Sequence, residues 1–200
     1  ARRLDVSDIA AAEAVAAEAL AAHGRIDILV NNAGVVYDAR ETGTASIALE
    51  EVSPDNWEHV VKVNLSGTFY CTQHVGRIML EQGSGAIINI ASMGAYKVLP
   101  GLAAYCASKA GLNLVTKVLA MDWASHEILV NAVAPTFIET EMTKPFLADP
   151  VFREYALAKN LLKRFGTPDD VAGAVLYLAS PAANLVTGHI LYVDAGWTAH

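Results

Sequence analysis

Four short apolar runs punctuate this chain, each closing on a small or polar turn before a longer stretch of helical character. Asp27-Ile28-Leu29-Val30 leads into Asn31-Asn32-Ala33-Gly34, and Ile87-Ile88-Asn89-Ile90-Ala91 stops at Ser92. Asn131-Ala132-Val133-Ala134 stops at Pro135, and Thr187-Gly188-His189-Ile190-Leu191-Tyr192-Val193 stops at Asp194. Runs this short, rich in Ile and Val and not alternating with polar residues, predict strands buried on both faces. Helices are predicted between them. Ser7-Asp8-Ile9 opens an alanine-rich helix with Ser7 as N-cap. Ser53-Pro54-Asp55-Asn56-Trp57 opens another with Ser at N-cap and Pro at N1. Thr167-Pro168-Asp169-Asp170 repeats the device ahead of Val171, its acidic pair facing the positive end of the helix dipole. Further helical stretches cover 57–82 and 105–124. Strands alternating with helices of this length imply right-handed parallel crossovers, hence an α/β fold with a doubly wound parallel sheet. No repeat, low-complexity tract or linker interrupts the pattern, so residues 1–200 are expected to form one domain.

The second apolar run carries the chemistry. Ser92 ends it, Tyr105 follows 13 positions later at the start of a predicted helix, and Lys109 stands four beyond. Positions i and i+4 share one helix face, so a phenol and an ammonium are set side by side near a hydroxyl at a strand end. A free phenol titrates near pH ~10, too high to move protons at neutrality, and a fixed positive charge lowers that value. Tyr105 could then protonate a carbonyl or deprotonate an alcohol, with Ser92 bonded to the substrate oxygen. Taken alone, the same residues also suit an ordinary helix-surface pair and a strand terminator. Asn31-Asn32-Ala33-Gly34 adds small residues at another strand's carboxyl end, where open parallel sheets bind ligands. Asn64 interrupts the amphipathic stretch Val61–Phe69, where it either bends the helix or orders a water near the site.

In this order and spacing, Asn31-Asn32-Ala33-Gly34, Asn64, Ser92, Tyr105 and Lys109 resemble the classical short-chain dehydrogenase/reductase family. Asp5-Val6, Asn131–Pro135 and Thr187–Asp194 match further family segments, so the resemblance spans essentially the whole chain. It implies a Rossmann-type domain that transfers hydride between NAD or NADP and a secondary alcohol or ketone. By the same resemblance Tyr105 is the acid/base and Ser92 the substrate orienter. Lys109 holds the nicotinamide ribose and tunes the tyrosine, and Asn64 supports a proton-relay water. Asp5 and Val6, at the end of a third strand, would meet the adenine. Asn32, Ala33 and Gly34 would line the cofactor cleft, with Pro135, Ile138 and Thr140 toward the carboxamide.

The departures set further expectations. The family opens with a strand and a glycine-rich Thr-Gly-x-x-x-Gly-x-Gly turn that grips the pyrophosphate at a helix N-terminus. No such turn occurs here, and the chain begins with Ala1 rather than Met, which leads us to expect a further opening of about 55 residues ahead of it by family analogy. Lacking it, a genuinely shortened protein would expose apolar sheet edges and bind dinucleotide poorly, and a non-catalytic oligomeric scaffold is the alternative reading. Thr136 stands where the family has glycine after Pro135, which would narrow the nicotinamide pocket or shift the loop. The stretch Arg40–Ser46 reads as a surface insertion.

Composition fits a compact cytoplasmic domain. Hydrophobic residues make up 54% of the chain and charged ones 18%, which suits a sheet covered on both faces and an interface between subunits. A net charge of −7 argues against nucleic acid as a partner. No apolar stretch approaches the roughly 18 residues of a membrane span. Cys71 and Cys106 fall in predicted helices as buried free thiols, and neither they nor the six histidines show ligand spacing, so no metal is expected. Residues 136–165 form a long connection with Pro145 and Pro150, expected to be a substrate lid. Tyr96, Lys97 and Lys144 could meet an acidic substrate, although packing or solvated roles suit them better. Asp194-Ala195-Gly196-Trp197-Thr198 most resembles family members acting on sugar acids and polyols, and the preceding strand resembles 3-oxoacyl-carrier-protein reductases. The matching helices of the family form a dimer interface, so the small residues Gly67, Gly76, Ala107 and Ala110 suggest a homodimer or homotetramer.

Overall fold

The computed structural model describes residues 1–37 and 47–200; the predicted insertion at Arg40–Ser46 lies outside the described residues. Four parallel strands, β1 (Ile28–Asn31), β2 (Gly85–Ile90), β3 (Ile128–Pro135) and β4 (Ile190–Val193), pair in the order β1-β2-β3-β4. Leu29 lies opposite Ile87, Ile87 opposite Val130, and Val133 opposite Leu191, so each strand advances one position along the sheet. This is the parallel α/β arrangement expected from the apolar runs.

Helices cover both faces. On one lie α1 (Ile9–His23), the paired segments α2 (Pro54–Val61) and α3 (Thr68–Gln82), and α4 (Ala103–Trp123). Ala16, Val75, Met79 and Ala120 from this layer bury against Ile87 and Val130. On the other face lies α7 (Pro168–Leu178), where Leu178 packs on Ile88 and Val133. Adjacent residues Ile87 and Ile88 thus point to opposite layers, which is why the run shows no alternation. Between β3 and α7 come the short helices α5 (Lys144–Ala148) and α6 (Pro150–Lys159).

Several expectations need correction. No strand forms at Asp5-Val6: residues 1–6 pair with none of the four strands, and a strand without a ladder partner has no place for its backbone hydrogen bonds. Asp5 instead accepts the amide (2.9 Å) and hydroxyl (2.8 Å) of Ser7. With Ser7 so occupied, the cap of α1 is Asp8, which accepts the amides of Ala10 and Ala11. Ser53 and Thr167 cap α2 and α7 as expected, Thr167 in a reciprocal box with Asp170. Strand β4 starts at Ile190 because Gly188 turns through a positive φ of 69° and the Thr187 hydroxyl accepts the amide of Val130.

The predicted helix over 57–82 is interrupted by a π-helical turn, Lys62–Gly67. Gly67 is required there by close approach, since a β-carbon would sit 2.8 Å from Cγ2 of Val6. At Gly76 a β-carbon would lie 2.5 Å from the Trp123 ring. Both glycines therefore serve packing inside the molecule rather than an outer face. Cys71 is a buried thiol, but Cys106 is only partly buried.

Candidate active site

Ser92 lies two residues past the end of β2 and is 7% exposed; its hydroxyl accepts the amide of Gly94, capping a short 3-10 turn. Tyr105 and Lys109 occupy the first two turns of α4, as the spacing predicts. Tyr105 and Ser92 line one cavity, and the Ser92 hydroxyl favours the ionised phenol. Lys109 is 4% exposed, its ammonium donating to the carbonyl of Ile90 at 2.7 Å and lying 5.8 Å from the centre of the Tyr105 ring.

Serine, phenol and ammonium are brought together, yet their electrostatics differ from expectation. Burial pushes the Tyr105 phenol above its ordinary value, and the Ser92 hydroxyl opposes that only in part. Burial also pulls Lys109 down to about 8. The ammonium donates to a strand carbonyl and lies over the Tyr105 ring, and burial is the largest influence on both groups.

These three side chains share a cavity of about 820 Å³ at the carboxyl ends of β1, β2 and β3. Asn32, Ala33, Gly34, Pro135, Ile138 and Thr140, all singled out from the sequence, line the same cavity. So do Met142, Thr143, Val171 and Val175, which sequence reasoning missed because ordinary apolar and hydroxyl residues carry no signal of their own. Asp5 and Val6 lie outside its lining; Val6 packs on Gly67, and Ser7 holds the exposed Asp5 carboxyl below its usual range. Asn64 is fully buried behind the wall, its side chain paired with both backbone groups of Val35 at 2.8 Å. Thr136 lines the cavity in an ordinary backbone conformation, its amide donating to Val193 at 3.2 Å. The three lateral candidates are engaged elsewhere. Lys97 donates to the His200 carbonyl at 2.6 Å, Tyr96 meets Tyr192 edge-on, and exposed Lys144 stands 3.4 Å from Glu141.

A family model described as enoyl-(acyl carrier protein) reductase matches residues 1–198. A D-threitol dehydrogenase of Mycolicibacterium smegmatis is 43% identical over 97% of this chain and 71% of its own length. The chain belongs to the short-chain dehydrogenase/reductase family. A 3-oxoacyl-[acyl-carrier-protein] reductase of Thermotoga maritima is 40% identical over 96% of this chain and 74% of its own. A gluconate 5-dehydrogenase from Burkholderia cenocepacia, solved in complex with NADP and tartrate, superposes with a TM-score of 0.92 at 36% identity. That likeness covers 98% of this chain and 74% of the gluconate 5-dehydrogenase. As a short-chain dehydrogenase/reductase, this protein is an NAD(P)-dependent oxidoreductase with a small-molecule substrate.

The residues present fit the nicotinamide end of that cofactor. Gly34 leaves a cradle where a β-carbon would meet Oδ1 of Asn64 at 3.4 Å and Nζ of Lys109 at 3.5 Å. Lys109 spends one of its three N–H bonds on Ile90 among the described residues, which leaves donors for ribose hydroxyls. No helix of the described residues is long and apolar enough to cross a membrane.

Proposed function

We propose that the protein interconverts a secondary alcohol and a ketone with Tyr105 as acid/base, and that the substrate is a sugar acid or small polyol. The observation that carries the reading is the convergence of Ser92, Tyr105 and buried Lys109 on one cavity. A bound nicotinamide supplies or accepts the hydride. In the oxidative direction Ser92 holds the alcohol oxygen and Tyr105 takes its proton; in reduction Tyr105 returns one to the carbonyl oxygen. Lys109 anchors the ribose and, once its donors turn from Ile90 toward the ligand, opposes the burial that raises the phenol. Asn32, Ala33 and Gly34 would give backbone room for the nicotinamide, and Pro135, Ile138 and Thr140 would contact its carboxamide end. Asp5 and Val6 would meet the adenine.

Sugar-acid and polyol substrates are supported by the D-threitol dehydrogenase and by the gluconate 5-dehydrogenase. A second reading, reduction of a 3-oxoacyl thioester, is favoured by the Thermotoga maritima reductase and by the apolar residues Val171, Val175 and Leu176 along one wall. Residues 136–165 are the lid in this reading. A homodimer or homotetramer in the cytoplasm completes it, since Leu114, Val118 and Met121, on one face of α4, are 64%, 55% and 82% exposed.

Tyr105→Phe tests the central step. Turnover should fall by about 10²- to 10⁴-fold while NADH or NADPH still binds. Turnover within a few-fold of the parent protein would refute the role. Wild-type rates on D-threitol, D-gluconate and a 3-oxoacyl thioester, with each cofactor, decide between the two substrate classes.

A further inference from the structure

Ser108, immediately before Lys109, is 1% exposed. Its hydroxyl donates to the carbonyl of Tyr105 at 2.7 Å and accepts a hydrogen bond from Nδ2 of Asn64 at 3.1 Å. The remaining Nδ2 proton of Asn64 goes to the Val35 carbonyl, and Oδ1 accepts the Val35 amide, each at 2.8 Å. One hydroxyl thus joins three pieces of chain: the turn that follows β1, the π-helical turn at 62–67, and the part of α4 that carries Tyr105 and Lys109. Helix α4 begins without a side-chain cap, so its first turns gain no anchorage from that source. Asn64 and Lys109 also flank one spot on the cavity wall, the cradle at Gly34.

We propose that Ser108 is a positioning residue: through its hydrogen bond to Asn64 it fixes where Tyr105 and Lys109 stand relative to the glycine turn beyond β1. The inference rests on the reading of Tyr105 as acid/base. It also places Asn64 in the site through its contacts, because both protons of its side-chain amide are already committed. Removing the Ser108 hydroxyl leaves a buried N–H of Asn64 without a partner, and the asparagine regains one only by moving. Displacing an acid/base pair by a fraction of an ångström slows the chemical step more than it weakens substrate binding. A purely structural serine, bonded back along its own helix, would instead lower stability and leave the rate per folded molecule alone.

The experiment compares Ser108→Ala, Asn64→Ala and the double variant, with D-threitol and D-gluconate as probes and circular dichroism to confirm folding. Ser108→Ala should lower kcat about 10-fold and change KM less than about 2-fold, the signature of an interaction expressed at the chemical step. The double variant should be no slower than the slower single one, because both remove the same link. Wild-type kcat in Ser108→Ala, or losses that multiply in the double variant, would overturn the proposal. Should the alanine variant prove unstable, Ser108→Cys, similar in size but a weak donor, replaces it under the same outcomes. Tyr105→Phe measured alongside separates the two failures. A fast Tyr105→Phe overturns the acid–base reading whatever Ser108 does, whereas a slow Tyr105→Phe with a fast Ser108→Ala overturns this inference alone.

Discussion

Around Ser92, Tyr105 and Lys109 the chain is held by buried hydrogen bonds, whereas across the cavity residues 136–165 are held by aromatic rings. On the first side Asn31 donates to Thr72 and to Asn89, and Asn89 to Thr116, each at 2.9 Å, tying β1 and β2 to α3 and α4. On the other, Phe137 lies 5.1 Å from Phe152 and 5.7 Å from Trp197 between ring centres, with Tyr155 also against Trp197. Hydrogen bonds are directional and fix atoms; ring packing is broad and tolerates sliding. Under the proposed function, the contrast would set proton transfer on the hydrogen-bonded wall and substrate admission on the aromatic one. Trp197 sits within the aromatic cluster: it is 5% exposed, and Asp194 braces its turn by accepting the amide and hydroxyl of Thr198 at 2.8 and 2.6 Å.

Breaking the aromatic side should produce the largest loss. Trp197→Ala is expected to cost about 3–5 kcal/mol of local packing, seen as faster proteolysis between α5 and α6 and a raised KM, with kcat changed less. Equal losses in kcat and KM would erase the distinction between the walls.

The buried ammonium gives a pH signature to the hydrogen-bonded side. Burial pulls folded Lys109 down to about 8 from its ordinary 10.5. Between those values the unfolded chain binds the extra proton, so the charging penalty is fully present below about 8 and fades as pH rises toward 10.5. Its relief is worth about 3 kcal/mol at most, at ~1.4 kcal/mol per pH unit. Urea denaturation of the wild type against Lys109→Met should show this rise only in the wild type; parallel curves would contradict it.

Asn89→Leu removes a fully buried link and strands groups on Asn31 and Thr116, which should lower stability by about 2 kcal/mol with the fold retained. An unchanged melting temperature would show that the network adapts. Smallest is Thr167→Ala, which opens the cap of α7 and should cost about 1 kcal/mol in thermal denaturation. A loss as large as that of Asn89→Leu would mean that α7 governs the whole sheet.

Strands β1 to β3 were legible because burial on both faces leaves uninterrupted apolar runs, and Ser92, Tyr105 and Lys109 because their spacing matches one strand end and one helix face. The cap of α1 was not, since Ser7 and Asp8 are both good caps and only the turn at Asp5 decides between them. Nor was the π-helical turn around Asn64, whose buried side chain is held by Val35 and Ser108, far away along the chain. The raised phenol of Tyr105 escaped for a related reason. Spacing shows that a lysine is near, but not how far burial raises the phenol. Ser108 gave no signal because serine is common in helices and its partner lies 44 positions away.

The most direct test of the central claim, that one cavity at the carboxyl ends of β1 to β3 takes the nicotinamide beside Tyr105, is an amide NMR titration with NADH and NADPH. The account predicts the strongest perturbations at Gly34, Ser92, Tyr105, Lys109 and Ile138. Perturbations confined to residues away from this cavity, or none with either nucleotide, would contradict it.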